Sequence, residues 1–81
     1  MQVTVSFYSH LRDLTGCSDA IEALPDGSTL GDLLERMIAR FPRLNAMRKS
    51  ILTAVGVEYQ DRTYVLNDGD EVALFPPVQG G

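Results

Sequence analysis

Residues 68–81 read DGDEVALFPPVQGG, and the rest of the chain is best read outward from this stretch. Asp68, Gly69 and Asp70 follow Asn67 as a tight turn. Glu71–Phe75 then alternates, with Val72 and Leu74 on one face and Phe75 on the other, as a half-buried strand does. Pro76 and Pro77 fix φ and remove two backbone donors, so the strand ladder should stop there and the chain leave as a stiff extended arm. Val78 and Gln79 lengthen the arm. Gly80 and Gly81 lack Cβ atoms, so they can thread a narrow channel and present a terminal carboxylate to a catalytic centre elsewhere. Frayed ends also collect glycines, but here a strand and Pro-Pro-Val precede the pair. We therefore expect a folded domain over 1–75 and an extended tail over 76–81, with the functional group at Gly81.

The domain needs partners for its last strand. Gln2–Tyr8 alternates, with Val3, Val5 and Phe7 on one side and Tyr8 on the other, which predicts a first strand of the same half-buried kind. Two strands with such strong apolar alternation should pair near the centre of a sheet. Residues 9–16 carry no strand period and end at Gly16, a helical turn or loop. Residues 18–24 alternate weakly around Ile21 and Ala23 and predict a second strand. After the PDGST break at 25–29, with Ser28 or Thr29 as cap, the clearest element begins. Leu30, Leu33, Leu34, Met37, Ile38 and Phe41 form one apolar helical stripe. Pro42 ends it and opens a short second helix with Leu44 and Met47 inward. ILTAVGV at 51–57 reads as a buried strand and RTYVL at 62–66 as a short or edge strand. The order predicts an α+β domain: a mixed sheet of four to five strands covered on one face by one main helix.

Composition narrows the function. Eighty-one residues leave no room for a deep cleft plus a cofactor fold. A net charge of −4 disfavours nucleic acid. One cysteine excludes an internal disulfide, and there is no paired-cysteine zinc pattern. No leader-like start and no apolar run of about 20 residues is seen, so a cytoplasmic, membrane-free chain is the expectation. Arg36, Arg40, Arg43, Arg48 and Lys49 make a basic middle, read as a solvated face or else as a complementary protein surface. Cys17 has no supporting His or carboxylate pattern for nucleophilic work. His10 is the only histidine, so no metal site is expected. By parity Tyr8 and Phe75 share the uncovered sheet face and form a candidate partner surface. Tyr59 extends it if the strand phase around Gly56 allows. A terminal carboxylate is inert until activated, most simply as an acyl adenylate made from ATP, which a chain this small cannot make alone.

These residues bear a family resemblance. Asp68–Gly81, the opening VTVSFYSHLRDLTG at 3–16, TLGDLL at 29–34 and LTAV at 52–55 together resemble the small, sulfur-carrying subunits of molybdopterin synthase, a ubiquitin-like β-grasp family. The resemblance covers nearly the whole chain. It implies that an E1-like adenylyltransferase uses MgATP to adenylate Gly81, with no cofactor bound by the chain itself. A sulfurtransferase system then supplies a persulfide, giving a thiocarboxylate. The tail enters the large synthase subunit and donates sulfur to cyclic pyranopterin monophosphate, within a heterotetramer, in molybdenum cofactor biosynthesis. In this reading Gly81 carries sulfur and Gly80 gives access, while Phe75, Pro76, Pro77, Val78 and Gln79 guide docking. Tyr8 and Tyr59 match apolar interface positions. Alternatives are a sulfur carrier for thiamine or a sulfur amino acid, a ubiquitin-like modifier of proteins, and a plain interaction domain.

Overall fold

The computed structural model describes residues 1–77. Strand β1 (Gln2–Phe7) leads through a short helix α1 (His10–Thr15) to β2 (Asp19–Ala23). Helix α2 (Leu30–Arg40) and a 3₁₀ helix (Pro42–Met47) follow, then β3 (Leu52–Val55), β4 (Glu58–Tyr59) and β5 (Glu71–Phe75). The five strands form one sheet in the order β2-β1-β5-β3-β4. As expected, the first and last strands pair at its centre, and they run parallel, with Val5 beside Val72 and Phe7 beside Leu74. All other pairs are antiparallel. The result is the mixed, helix-covered sheet of the β-grasp.

The core lies between the sheet and the helices. Val3, Val5 and Phe7 meet Val72 and Leu74 from the strands, and Leu30, Leu33, Leu34, Met37 and Ile38 close over them from α2. Leu44 of the 3₁₀ helix is fully buried, and Met47 packs against the cluster from its rim. Phe41, at the end of the α2 stripe, sets its ring edge-on to Phe7 at 5.5 Å, the favoured arrangement for two quadrupoles.

Helix α2 starts where its caps dictate. Thr29 accepts from the Asp32 N–H at 3.2 Å, and Asp32 accepts from the Thr29 N–H at 3.0 Å, a reciprocal capping box. Ser28 instead donates its hydroxyl to the Pro25 carbonyl. The Leu30 and Gly31 N–H groups, which have no partner within a helix, donate to the Tyr64 and Arg62 carbonyls at 2.9 Å each.

That use of 62–64 corrects the expected strand at 62–66. The Asp61 carboxylate accepts from both the hydroxyl and the N–H of Thr63, a local turn that competes with a ladder. The chain wraps over the start of α2, and only a single bridge between Val65 and Thr29 remains. The edge strand is Glu58–Tyr59 instead. Two other readings also shift. The run 51–57 is strand only over Leu52–Val55, because Gly56 turns with φ +62° and leaves Val57 99% exposed. Strand β2 exists, but Ala20 points inward and Ile21 outward, since Ile21 lies opposite Thr4 on the uncovered face. No helix among the described residues is long and apolar enough to cross a membrane.

Thr29→Ala should cost about 0.5–2 kcal/mol in urea unfolding, and Leu74→Ala about 2–5 kcal/mol. The Asp61 carboxyl titrates below its usual range because the Thr63 hydroxyl, and secondarily its N–H, bond the charged form. A depressed folded-state value stabilises above the unfolded carboxylate range, and that contribution is lost as pH falls through the folded value. NMR titration of Asp61 should show the depression, and Thr63→Ala should reduce it.

Candidate functional site

Parallel pairing puts the ends of β1 and β5 at one end of the sheet. Tyr8, just past β1, donates its N–H to the Leu74 carbonyl at 3.1 Å and so continues the ladder by one residue. Its ring then stacks on Phe75, with centroids 4.7 Å apart and planes 14° from parallel. Tyr59 reaches the same face from β4, because it lies opposite Ala54 of β3. Its ring is 6.1 Å from that of Phe75 and tilted by 57°. The candidate residues Tyr8, Phe75 and Tyr59 are thus one aromatic patch, on the sheet face that no helix covers. Tyr8 is 38% exposed and Tyr59 68%, while Phe75 is half-buried between them.

Pro76 and Pro77 continue from Phe75, outside any strand and half-buried. The ladder therefore stops where the missing donors require. Val78, Gln79, Gly80 and Gly81 lie outside the described residues.

Three neighbours of the patch were not anticipated. Leu52 starts β3 directly opposite Phe75 and adds an aliphatic flank. The Arg12 guanidinium sits over the Tyr8 ring, 5.8 Å from its centroid, with Nε donating to the Phe7 carbonyl at 3.0 Å. Its place one helical turn after Tyr8 was the available signal. Ser9 takes φ 52° and ψ −131°, a strained conformation for a residue with a side chain, and swings the backbone from β1 into α1. It lets Tyr8 stay in the ladder while the next residues leave it.

Beside Tyr59 an open groove of about 410 Å³ is lined by Leu52, Thr53, Gln60 and Asp61 among others. Among the described residues no three His, Cys, Asp or Glu side chains gather as a metal site would require. His10 lies 3.7 Å from Asp13 at the surface, and Cys17 is half-buried at the core rim beside Thr15.

The stacked pair should behave as a coupled unit. In a Tyr8→Ala and Phe75→Ala double-mutant cycle read by urea unfolding, we expect a coupling of about 0.5–1.5 kcal/mol. Additivity within error would mean the stacking contributes nothing.

Comparison with known proteins follows the same outline. The ThiS family model matches residues 5–81. The molybdopterin synthase sulfur carrier subunit of Chlamydomonas reinhardtii is 38% identical over 84 residues, which cover all of both chains. That of Escherichia coli (strain K12) is 38% identical over 81 residues, covering 98% of this chain and 99% of its own. Among solved structures, a putative molybdopterin converting factor subunit 1 from Pyrococcus furiosus superposes with a TM-score of 0.88 at 28% identity, over 96% of this chain and 99% of that one. The chain belongs to the ThiS family, alongside relatives named as molybdopterin synthase sulfur carrier subunits.

Proposed function

We propose that this chain is the sulfur carrier subunit of a molybdopterin synthase and that Gly81 is its working residue. The observation that carries the reading is the stacked Tyr8–Phe75 pair at the point where β5 gives way to Pro76 and Pro77. A docking surface there holds a partner beside the start of the PPVQGG segment, so that a bound partner receives the arm in a fixed direction. Full-length similarity to proteins named as such carriers supports the same role.

The chemistry runs in four steps. On an E1-like partner the Gly81 carboxylate attacks the α-phosphorus of MgATP, releasing pyrophosphate and leaving an acyl adenylate. The terminal sulfur of a protein persulfide attacks the acyl carbon and expels AMP. A thiol then cleaves the resulting acyl disulfide, leaving a thiocarboxylate on Gly81 and a disulfide on the donor. Sulfur is softer than the oxygen it replaces. Inside the large synthase subunit the thiocarboxylate sulfur attacks a carbon of cyclic pyranopterin monophosphate and displaces an oxygen substituent. Water then cleaves the Gly81 acyl–sulfur bond, leaving sulfur on the pterin and restoring the carboxylate. Tyr8, Tyr59, Phe75, Pro76 and Pro77 dock the domain and aim the arm. Val78 and Gln79 would guide docking with them, and Gly80 would give the terminus access to the partner's centre. The chain holds no cofactor of its own in this scheme and works in the cytoplasm with the large subunit, the adenylating enzyme and the sulfur donor.

Intact-protein mass spectrometry tests the proposal directly. Incubated with its E1-like enzyme, MgATP and a persulfide donor, the chain should gain the mass of one sulfur replacing one oxygen, mapped to Gly81. A chain lacking Gly81 should gain nothing. Absence of the gain with a demonstrably active partner would overturn the proposal. Isopeptide conjugates to lysines in its place would identify a protein modifier.

A further inference from the structure

Strand β2 is an outer strand, paired only with β1. The Phe7 N–H donates to the Ser18 carbonyl and the Leu24 N–H to the Met1 carbonyl, so even-numbered residues here face β1. Ile21 and Ala23 direct their backbone groups the other way, to the open edge. Such an edge is a template for another strand, and Ile21 beside it is 59% exposed.

The edge is not left bare. Glu22 lies opposite Val3 and so projects to the helix side, where its side chain is only 13% exposed. Arg36 and Arg40, one turn apart on α2, straddle it. Arg40 Nη1 donates to Glu22 Oε1 at 2.7 Å and to the Ile21 carbonyl at 3.0 Å. Arg36 Nη1 lies 3.5 Å from Glu22 Oε2 and 3.4 Å from the Ala23 carbonyl. One carboxylate thus holds two guanidinium groups over the two carbonyls that an incoming strand needs.

We propose that the outer edge of β2 is a strand-pairing surface for a second copy of this chain, held closed by the Arg36–Glu22–Arg40 clamp. The geometry favours a copy of itself. An antiparallel pair centred on Ile21 sets Ile21 against Ile21 and Asp19 against Ala23, so two exposed apolar side chains meet and no acidic residues face each other. The clamp opposes this by occupying the acceptors and by placing two cations along the edge.

The test is light scattering after size exclusion across a range of protein concentration, with circular dichroism to confirm folding. Wild type should remain monomeric. R36A/R40A should shift toward twice the monomer mass as concentration rises. Adding Ile21→Pro to R36A/R40A removes an outward N–H without touching the β1 ladder, and should restore the monomer. If R36A/R40A does not fold, Glu22→Gln, which loosens both arginines, should show the same shift to a smaller degree. A folded clamp variant that stays monomeric, a dimer that survives Ile21→Pro, or a wild type already dimeric through this edge each overturns the proposal.

Discussion

The rest of the structure depends on the parallel pairing of β1 with β5. Parallel neighbours cannot be joined by a tight turn, and here almost the whole chain separates them: β1 ends at Phe7 and β5 begins at Glu71. Everything between must leave the sheet, cover it and return. Only one long amphipathic helix is available to cover it, and its five buried positions meet the five buried side chains of the central pair. Because the two strands run the same way, their last residues lie side by side. Had they paired antiparallel, Tyr8 and Phe75 would sit at opposite ends of the sheet. The aromatic patch is therefore a consequence of strand direction, as is the departure of Pro76 and Pro77 beside it.

A domain this small has little apolar burial to spare, and the structure assigns polar groups to seat its parts. The start of α2 is held by its capping box and by two carbonyls from 62–64. Its far end is held against β2 by Arg36 and Arg40. Arg48 pairs with Glu35, drawing the residues after the 3₁₀ helix back onto α2, and Arg43 reaches the Asp13 carbonyl at 3.4 Å. The basic middle of the sequence is thus largely spent inside the domain, tying α2 and the 3₁₀ helix to their neighbours. The uncovered sheet face carries the aromatic cluster at the end where Pro76 and Pro77 leave it.

Which features were legible follows from how local their causes are. The α2 stripe, the Thr29 cap and the alternation of β1 and β5 are written within a few residues, and each was readable. Parity alone placed Tyr8 and Phe75 on the uncovered face. The run 62–66 misled because RTYVL has strand composition, while its conformation answers to the orphan N–H groups of Leu30 and Gly31, more than thirty residues away. Strand β2 was readable as a strand, but its phase was not, because Ile21, its most apolar side chain, faces outward. Register with β1 decides that, and register is a long-range property. The role of Tyr59 waited on Gly56, whose positive φ turns β3 back into β4 and carries the ring to Phe75. Arg12 escaped notice because its partner is an aromatic face rather than a carboxylate.

The form of the site bears on how a carrier works. On the proposed role, the same surface must dock an activating enzyme, release it, and then dock a synthase subunit. A very tight interface would stall that exchange. Tyr8 and Phe75 are already mostly covered within the domain, so the free part of three side chains of about 150–250 Å² each falls below the roughly 800 Å² per partner of stable complexes. On that role the domain alone would give a weak, fast-exchanging contact, further binding would come from the arm, and affinity would depend on productive insertion. That division would also explain why the aromatic patch adjoins Pro76 and Pro77. Two stiff residues transmit the orientation of the docked domain to the segment beyond them, at a lower entropic cost than a flexible linker would carry.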